Sequence, residues 1–288
     1  MKNKSRKPLK IAALVAALIL LAGLGWFANS LLGNPISKAL ARKGTESWLE
    51  THYADTDYQI DKVSFDFKSG GYYARISSPS SIDTHFTLSM DALGHARYDS
   101  YESDVANNWN TWYRLETEYR ELCDTLLEAP AFPYSPLHIG FGSLLLENSL
   151  PEDFPAGMKP DALLRMEDLV PDGEYDIREL GRKYGQLVLY VEDEEVTEAR
   201  AAEILLDIRS RMDEAGIPFR CVDFSLIYPR PEDPEAPRRE GEIDLLCILY
   251  EDIVPEGMEQ RVHEVHEATL AYYAAEDAKM AAEIPEAR

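Results

Sequence analysis

Residues 11–37 carry no charged side chain, and five basic residues, Lys2, Lys4, Arg6, Lys7 and Lys10, stand directly before them. Nothing else in the chain restricts its folding so strongly. The middle of the run, IAALVAALILLAGLGWF (Ile11–Phe27), is almost wholly apolar. Counted from Leu9 to Leu32, it is long enough to cross a hydrocarbon core as one helix. The sequence therefore predicts a transmembrane anchor over residues 9–32. The basic flank places the N-terminus in the cytoplasm and everything after Asn34 on the extracytoplasmic side. Trp26 fits the outer interface. A cleaved signal peptide is the competing reading, but its apolar core is only ~7–15 residues and ends at an Ala-x-Ala-like site. Here the run is longer and only Ala28-Asn29-Ser30 approaches such a site, so an uncleaved signal-anchor is favoured. No cysteine lies in or near the run, which excludes lipid attachment at its end.

Charge restricts the partners. The chain has 29 Lys and Arg against 52 Asp and Glu, a net of −23. Removing the five basic residues before Gly33 leaves the remainder at −28. Such an acidic surface repels nucleic acid, anionic lipid and wall polymers, and suits a protein partner or a cationic ligand. Cys123, Cys221 and Cys247 are too few for a disulfide framework in a chain of 288 residues. Cys123 reads as a small buried hydrophobe. Cys221 and Cys247 fall on two strands expected to pair, so a bridge between them is open at this point.

The pattern predicts an α+β fold in two units after the anchor. The first, residues 34–128, opens with Asn34 as N-cap and Pro35 at the first helical position. Ile36, Leu40, Gly44 and Trp48, with Ala41, Thr45 and Leu49 beside them, then mark one helix face ending near Tyr53, with Gly44 allowing close packing. Four strands follow, over 58–67, 72–78, 84–90 and 95–101, with a bulge expected between Ile60 and Val63 and turns at Gly70-Gly71 and Leu93-Gly94. A long helix capped by Ser103 runs to Glu128, its seam made by Val105, Trp112, Leu115, Tyr119, Leu122 and Leu126. A helix over a curled antiparallel sheet is a cystatin-like or PepSY-like arrangement.

Residues 129–170 read as a Pro-rich connection. The second unit, 171–288, holds a short helix to Tyr184, a strand over 186–191, a helix capped by Thr197 and stopped at Gly216, strands over 219–228 and 242–250, and a last helix from Pro255. A right-handed crossover sets the first two strands parallel and the third antiparallel. This is a βαββα ferredoxin-like layer. The loop from Pro229 to Pro237 reads as exposed.

Five stretches carry a resemblance: NPISKALARK (Asn34–Lys43), SSPSSIDTHFTL (Ser77–Leu88), WNTWYRLETEYREL (Trp109–Leu122), EYDIRELGRKYGQLVLYVED (Glu174–Asp193) and GIPFRCVDFSL (Gly216–Leu226). They are similar to the YfjL-like family over nearly the whole chain. The resemblance implies a Gram-positive membrane protein with an N-terminal membrane helix and a two-part outer region. It implies no reaction and supplies no catalytic residues.

Three residue sets invite a chemical reading. Ser81, Asp83 and His85 alternate along a strand and combine a nucleophile, an acid and a base. Catalytic triads, however, gather from separated segments, and no G-x-S-x-G elbow is present. Glu259, His263 and His266 share a helix face with metal-ligand chemistry. The histidines stand i, i+3, not the i, i+4 of H-E-x-x-H. Glu192-Asp193-Glu194-Glu195 is a calcium-like run without the spaced ligands and central Gly of an EF-hand. Trp109 and Tyr113 lie off the helix seam and suit a partner surface. No phosphate loop, CxxC pair or dinucleotide fingerprint occurs, so no cofactor is expected. The sequence favours a noncatalytic, membrane-anchored binding or sensing module, with an extracytoplasmic hydrolase or metal-dependent enzyme as the alternative.

Overall fold

A computed structural model describes residues 7–283 except 135–136, 156, 232, 234–236 and 238, with the side chains of 7–9, 22, 26, 28, 30 and 283 also outside the description. Two compact units divide within a helix, after Thr111. The fold is α+β with two four-stranded sheets.

The first unit begins with helix α1 (Lys7–Leu32), of 26 residues. Its Ile11, Leu14, Leu18, Leu21 and Leu24 are each more than half exposed. Among the described residues, no helix is long and apolar enough to cross a membrane. The basic flank before Lys7 and the side chain of Trp26 lie outside the described residues. Only Gly33 and Asn34 separate α1 from α2 (Pro35–His52). Asn34 caps α2 as expected, its side chain accepting from the Ser37 N–H at 2.8 Å.

Strands β1 (Gln59–Asp66), β2 (Gly71–Ser78), β3 (Ser81–Met90) and β4 (Ala96–Asp99) form an antiparallel meander in that order. The register of β1 on β2 slips between Ile60 and Lys62, at the expected bulge. Alternation sends Tyr72, Ala74, Ile76, Phe86, Leu88 and Met90 to one face, where they are buried with Ala41 of α2. Each large side chain so buried contributes roughly 1.5–3 kcal/mol. The expected face of α2 is the one that packs, with Trp48 and Leu49 against the core, but its first turn is left out. Ala41 and Thr45 are buried, while Ile36 is 75% exposed. Small residues decide this, because a Cβ on Gly44 would stand 2.0 Å from the Gly94 carbonyl oxygen in the β3–β4 turn.

The long helix also starts later than the caps suggest. Residues Glu102–Ala106 form a wide π turn, Asn108 turns to a φ of 58°, and α3 runs Trp109–Leu127. Ser103 donates to the Ser100 carbonyl instead of capping α3. Val105 belongs to the first core, whereas Leu115, Tyr119, Cys123 and Leu127 belong to the core of the second unit. Trp112, Leu122 and Leu126 of the expected seam pack against that same core, so most of this helix goes with the second unit and not with the stretch 34–128.

The second unit draws its edge strand from the stretch read as a connection. Strand β5 (Ile139–Leu144) pairs antiparallel with β6 (Gly185–Glu192), which follows helix α4 (Ile177–Tyr184) directly. Helix α5 (Glu198–Ala215) crosses to β7 (Cys221–Ile227), parallel to β6, and β8 (Glu242–Leu249) returns antiparallel. Thr197 caps α5 and Gly216 ends it at a φ of 66°. Ala201, Ile204, Leu205, Ile208 and Met212 of α5 pack with Leu187, Leu189, Phe224, Leu226 and Leu245 of the sheet. Helix α6 (Met258–Glu283) contributes Met258 and Val262 to that core. Its Val265, Ala268 and Tyr272 join a smaller cluster around Cys221 and Cys247.

Candidate functional site

The strand carrying Ser81, Asp83 and His85 does not present them as one alternating row. Ser81 stands opposite Ser78 and His85 opposite Ser77, so residues 82–84 bulge out of the ladder. The Ser81 hydroxyl donates to Thr84 Oγ1 at 2.7 Å and accepts the Thr84 N–H at 3.0 Å, closing a local turn. Asp83 is 2% exposed. Asn110 donates its amide to the carbonyls of Asp83 at 2.9 Å and His85 at 2.6 Å, which pins the bulge backbone. The serine hydroxyl thus closes a local turn with Thr84.

The histidines of α6 are drawn apart by their partners. His263 Nδ1 lies 2.8 Å from Glu198 Oε1 on α5, and the carboxylate raises the imidazole pKa above its ordinary value. His266 Nδ1 lies 3.0 Å from the carbonyl oxygen of Asp244 on β8. Glu259 is exposed. Among the described residues, no group of three or more His, Cys, Asp and Glu is placed to hold a metal ion.

Glu192 ends β6, and the three acids after it are used individually. Asp193 takes the Arg200 guanidinium at 3.0 Å, Glu194 takes Arg239 at 2.6 Å, and Glu195 accepts the Thr197 hydroxyl at 3.1 Å. Cys221 and Cys247 are both free and buried. They sit on neighbouring strands, but the register sets Cys221 opposite Leu249. The hydrogen bond that the Cys221 thiol donates to Cys247, together with burial, pushes the Cys221 pKa well up. Cys123 is buried as expected, its thiol pushed up to about 12 by burial. Trp109 and Tyr113 are 44% and 59% exposed, on opposite sides of the division between the units.

The clefts lie elsewhere. In the second unit, one of about 440 Å³ opens where β6 and β7 end and β8 begins, between Tyr190, Tyr228, Arg230, Arg239, Glu242 and His138. Arg230 approaches His138 Nε2 at 3.1 Å, and the other ring nitrogen is 3.6 Å from Glu192. The Arg239 guanidinium lies 3.8 Å over the Tyr228 ring, a cation–π contact. Guanidinium, imidazole and phenol groups suit recognition of polar and aromatic surfaces. The described lining has no Ser, Thr, Cys or Lys, and its acids are Glu240 and Glu242. Sequence reasoning missed this cleft because its residues come from three strand ends and a proline-rich loop, with no shared spacing.

A shallower cleft of about 390 Å³ lies in the first unit, between the start of α2 and β1. Lys38, Arg42 and Lys62 rim it with Asp61, over Ala39 and Val63. Beside it the link between α1 and α2 is clasped to the sheet. The Asn34 N–H donates to the Tyr72 hydroxyl at 3.0 Å, and that hydroxyl donates to the Asn34 carbonyl at 3.3 Å. Gly33 has a φ of 69°, and a Cβ there would stand 2.8 Å from the Phe65 ring and the Tyr72 hydroxyl.

Comparison with known families settles the relationship. A YfjL-like N-terminal domain matches residues 8–100, and a YfjL-like C-terminal domain matches residues 118–263. The chain belongs to the YfjL-like family. The gap between the two matches contains the division between the compact units. No curated protein matches the chain. A solved structure to which this YfjL-like chain is similar is the crystal structure of a DUF5037 family protein from Ruminococcus gnavus ATCC 29149. The two are 12% identical over 65% of this chain and 73% of that chain, with a TM-score of 0.19, too low to bear on fold or function.

Proposed function

We propose that this YfjL-like protein is a single-pass membrane protein, N-terminus in the cytoplasm, whose two α+β units bind or sense a partner outside the membrane without catalysing a reaction. The observation that carries the reading is α1. Its large apolar side chains are exposed along the helix, from Ile11 to Leu32. No helix among the described residues is by itself long and apolar enough to cross a membrane, but the sequence run from Leu9 to Leu32, taken whole, would extend about 36 Å as a helix against a hydrocarbon core of about 30 Å. Water is a poor solvent for such a surface, and lipid is the solvent that fits it. The uncharged run of the sequence is continuous through positions 22, 26, 28 and 30, whose side chains lie outside the description. Lys10 and the basic residues before it supply the orientation.

Binding is assigned to the second unit's cleft, because Arg230, Arg239, His138, Tyr190 and Tyr228 converge there. The test has two parts. Alkaline washing of membranes should leave the chain in the pellet, and nonionic detergent should release it; release by the wash alone would refute the anchor. A photoreactive side chain at Tyr228 should crosslink one protein in intact cells, and the Arg230→Ala/Arg239→Ala variant should lose that product. Crosslinking unaffected by those changes would remove the cleft from the proposal.

A further inference from the structure

We infer that the cleft between α2 and β1 of the first unit holds the phosphodiester headgroup of an anionic phospholipid in the leaflet that α1 enters; this rests on the anchored reading above. Position comes first. The two-residue link is fixed on the sheet by the Asn34–Tyr72 hydrogen bonds and by the close seat of Gly33. The cleft therefore has a set height relative to the end of α1. Lys38 and Arg42 lie about 5 and 10 Å along α2 from Pro35. A headgroup layer is roughly 5–7 Å deep on each side, so along α2 Lys38 falls within it and Arg42 starts just beyond it, within reach of its long side chain. Ile36, 75% exposed on the same first turn, is an apolar side chain at that level, where an interface accepts it.

Charge and shape point the same way. Three cations surround one acid, on a chain whose net charge is −23. Asp61 accepts the Ser77 hydroxyl at 2.8 Å, which ties one of its oxygens to the neighbouring strand. Arg42 pairs with Glu46 at 3.3 Å, but both side chains are about half exposed, and such a pair opens at little cost. A guanidinium gripping a phosphate in two places, with flanking ammonium groups, is a standard arrangement for a phosphodiester. Ala39 and Val63 add apolar surface to the lining, which a lipid can contact beside its phosphate. The acidic remainder repels an anionic membrane, but that field is screened within about 8 Å at physiological salt. The cleft acts at contact distance.

The experiment reconstitutes the full chain into phosphatidylcholine bilayers, with and without phosphatidylglycerol, and records the melting temperature of the first unit. Phosphatidylglycerol should raise it. The Lys38→Gln/Arg42→Gln/Lys62→Gln variant should lose the rise, with affinity for short-chain phosphatidylglycerol weakened at least about tenfold. Asp61→Asn should keep or enlarge the rise, which shows that the surface tolerates substitution. Inorganic phosphate over phosphatidylcholine should do nothing. Equal melting in both lipids, or a rise retained by the triple variant, overturns the inference while leaving the anchor intact. A rise produced by phosphate alone overturns the lipid assignment. Failure of the chain to enter phosphatidylcholine bilayers overturns the anchor and the inference with it.

Discussion

Gly33 and Tyr72 join the apolar helix to the sheet, and each can be tested alone. An alanine at a φ of 69° is strained by about 1–2 kcal/mol before its Cβ meets Phe65 and Tyr72. Gly33→Ala should therefore lower the stability of the first unit by about 2 kcal/mol or more, read from urea unfolding in detergent. Tyr72→Phe removes a hydroxyl that both accepts from and donates to Asn34, and should cost about 0.5–1.5 kcal/mol in the same measurement. His263 offers a test by pH. The hydrogen bond and charge of Glu198 raise its pKa above 6.5, so the pair's stabilisation is complete below pH 6.5. It fades as pH rises through the folded value. An NMR titration should give a midpoint above 6.5 that falls back in Glu198→Gln; an unchanged midpoint would separate the two residues. At this scale the one placement that spacing did not give is the shared strand face of Ser81, Asp83 and His85. Alternation places Ser81, Asp83 and His85 on one face only while the ladder is regular, and nothing in S-I-D-T-H marks the bulge that Asn110 pins from elsewhere in the chain.

Elements were legible where their signals are local. Helix α5 carries Thr197 at one end, Gly216 at the other and an apolar period between them, and all three appear as read. Its cap oxygen receives the Arg200 N–H at 3.1 Å, so Thr197→Ala should cost about 1 kcal/mol, with Thr197→Ser recovering most of it in thermal melts. The parallel β6–β7 pair and the antiparallel β8 also follow from element order alone. Strand β5 was not legible. Its sequence, IGFGSL, has two glycines and follows a run of prolines, so propensity argues against a strand. Six residues of pairing with β6, and burial of Leu144, override that preference. The start of α3 was hidden for a related reason. Ser103 looks like a cap, but the break is made by Asn108 in a left-handed turn, and the helix seam belongs to the other unit.

At the scale of the whole molecule, the chain combines a basic, uncharged-then-acidic order of segments with two cores, each with its own sheet. That order was plain in the sequence, because charge and hydropathy are additive along a chain and need no contacts. The clefts were not, because a cleft is a property of surfaces brought together by folding. Location and binding therefore stand or fall on the path of α1. Protease added to intact cells carrying a tag at each terminus measures that path most directly. Digestion should remove the C-terminal tag and leave the N-terminal tag on a short protected fragment. Full-length chain surviving until the cells are permeabilised would contradict the anchored, outward-facing arrangement.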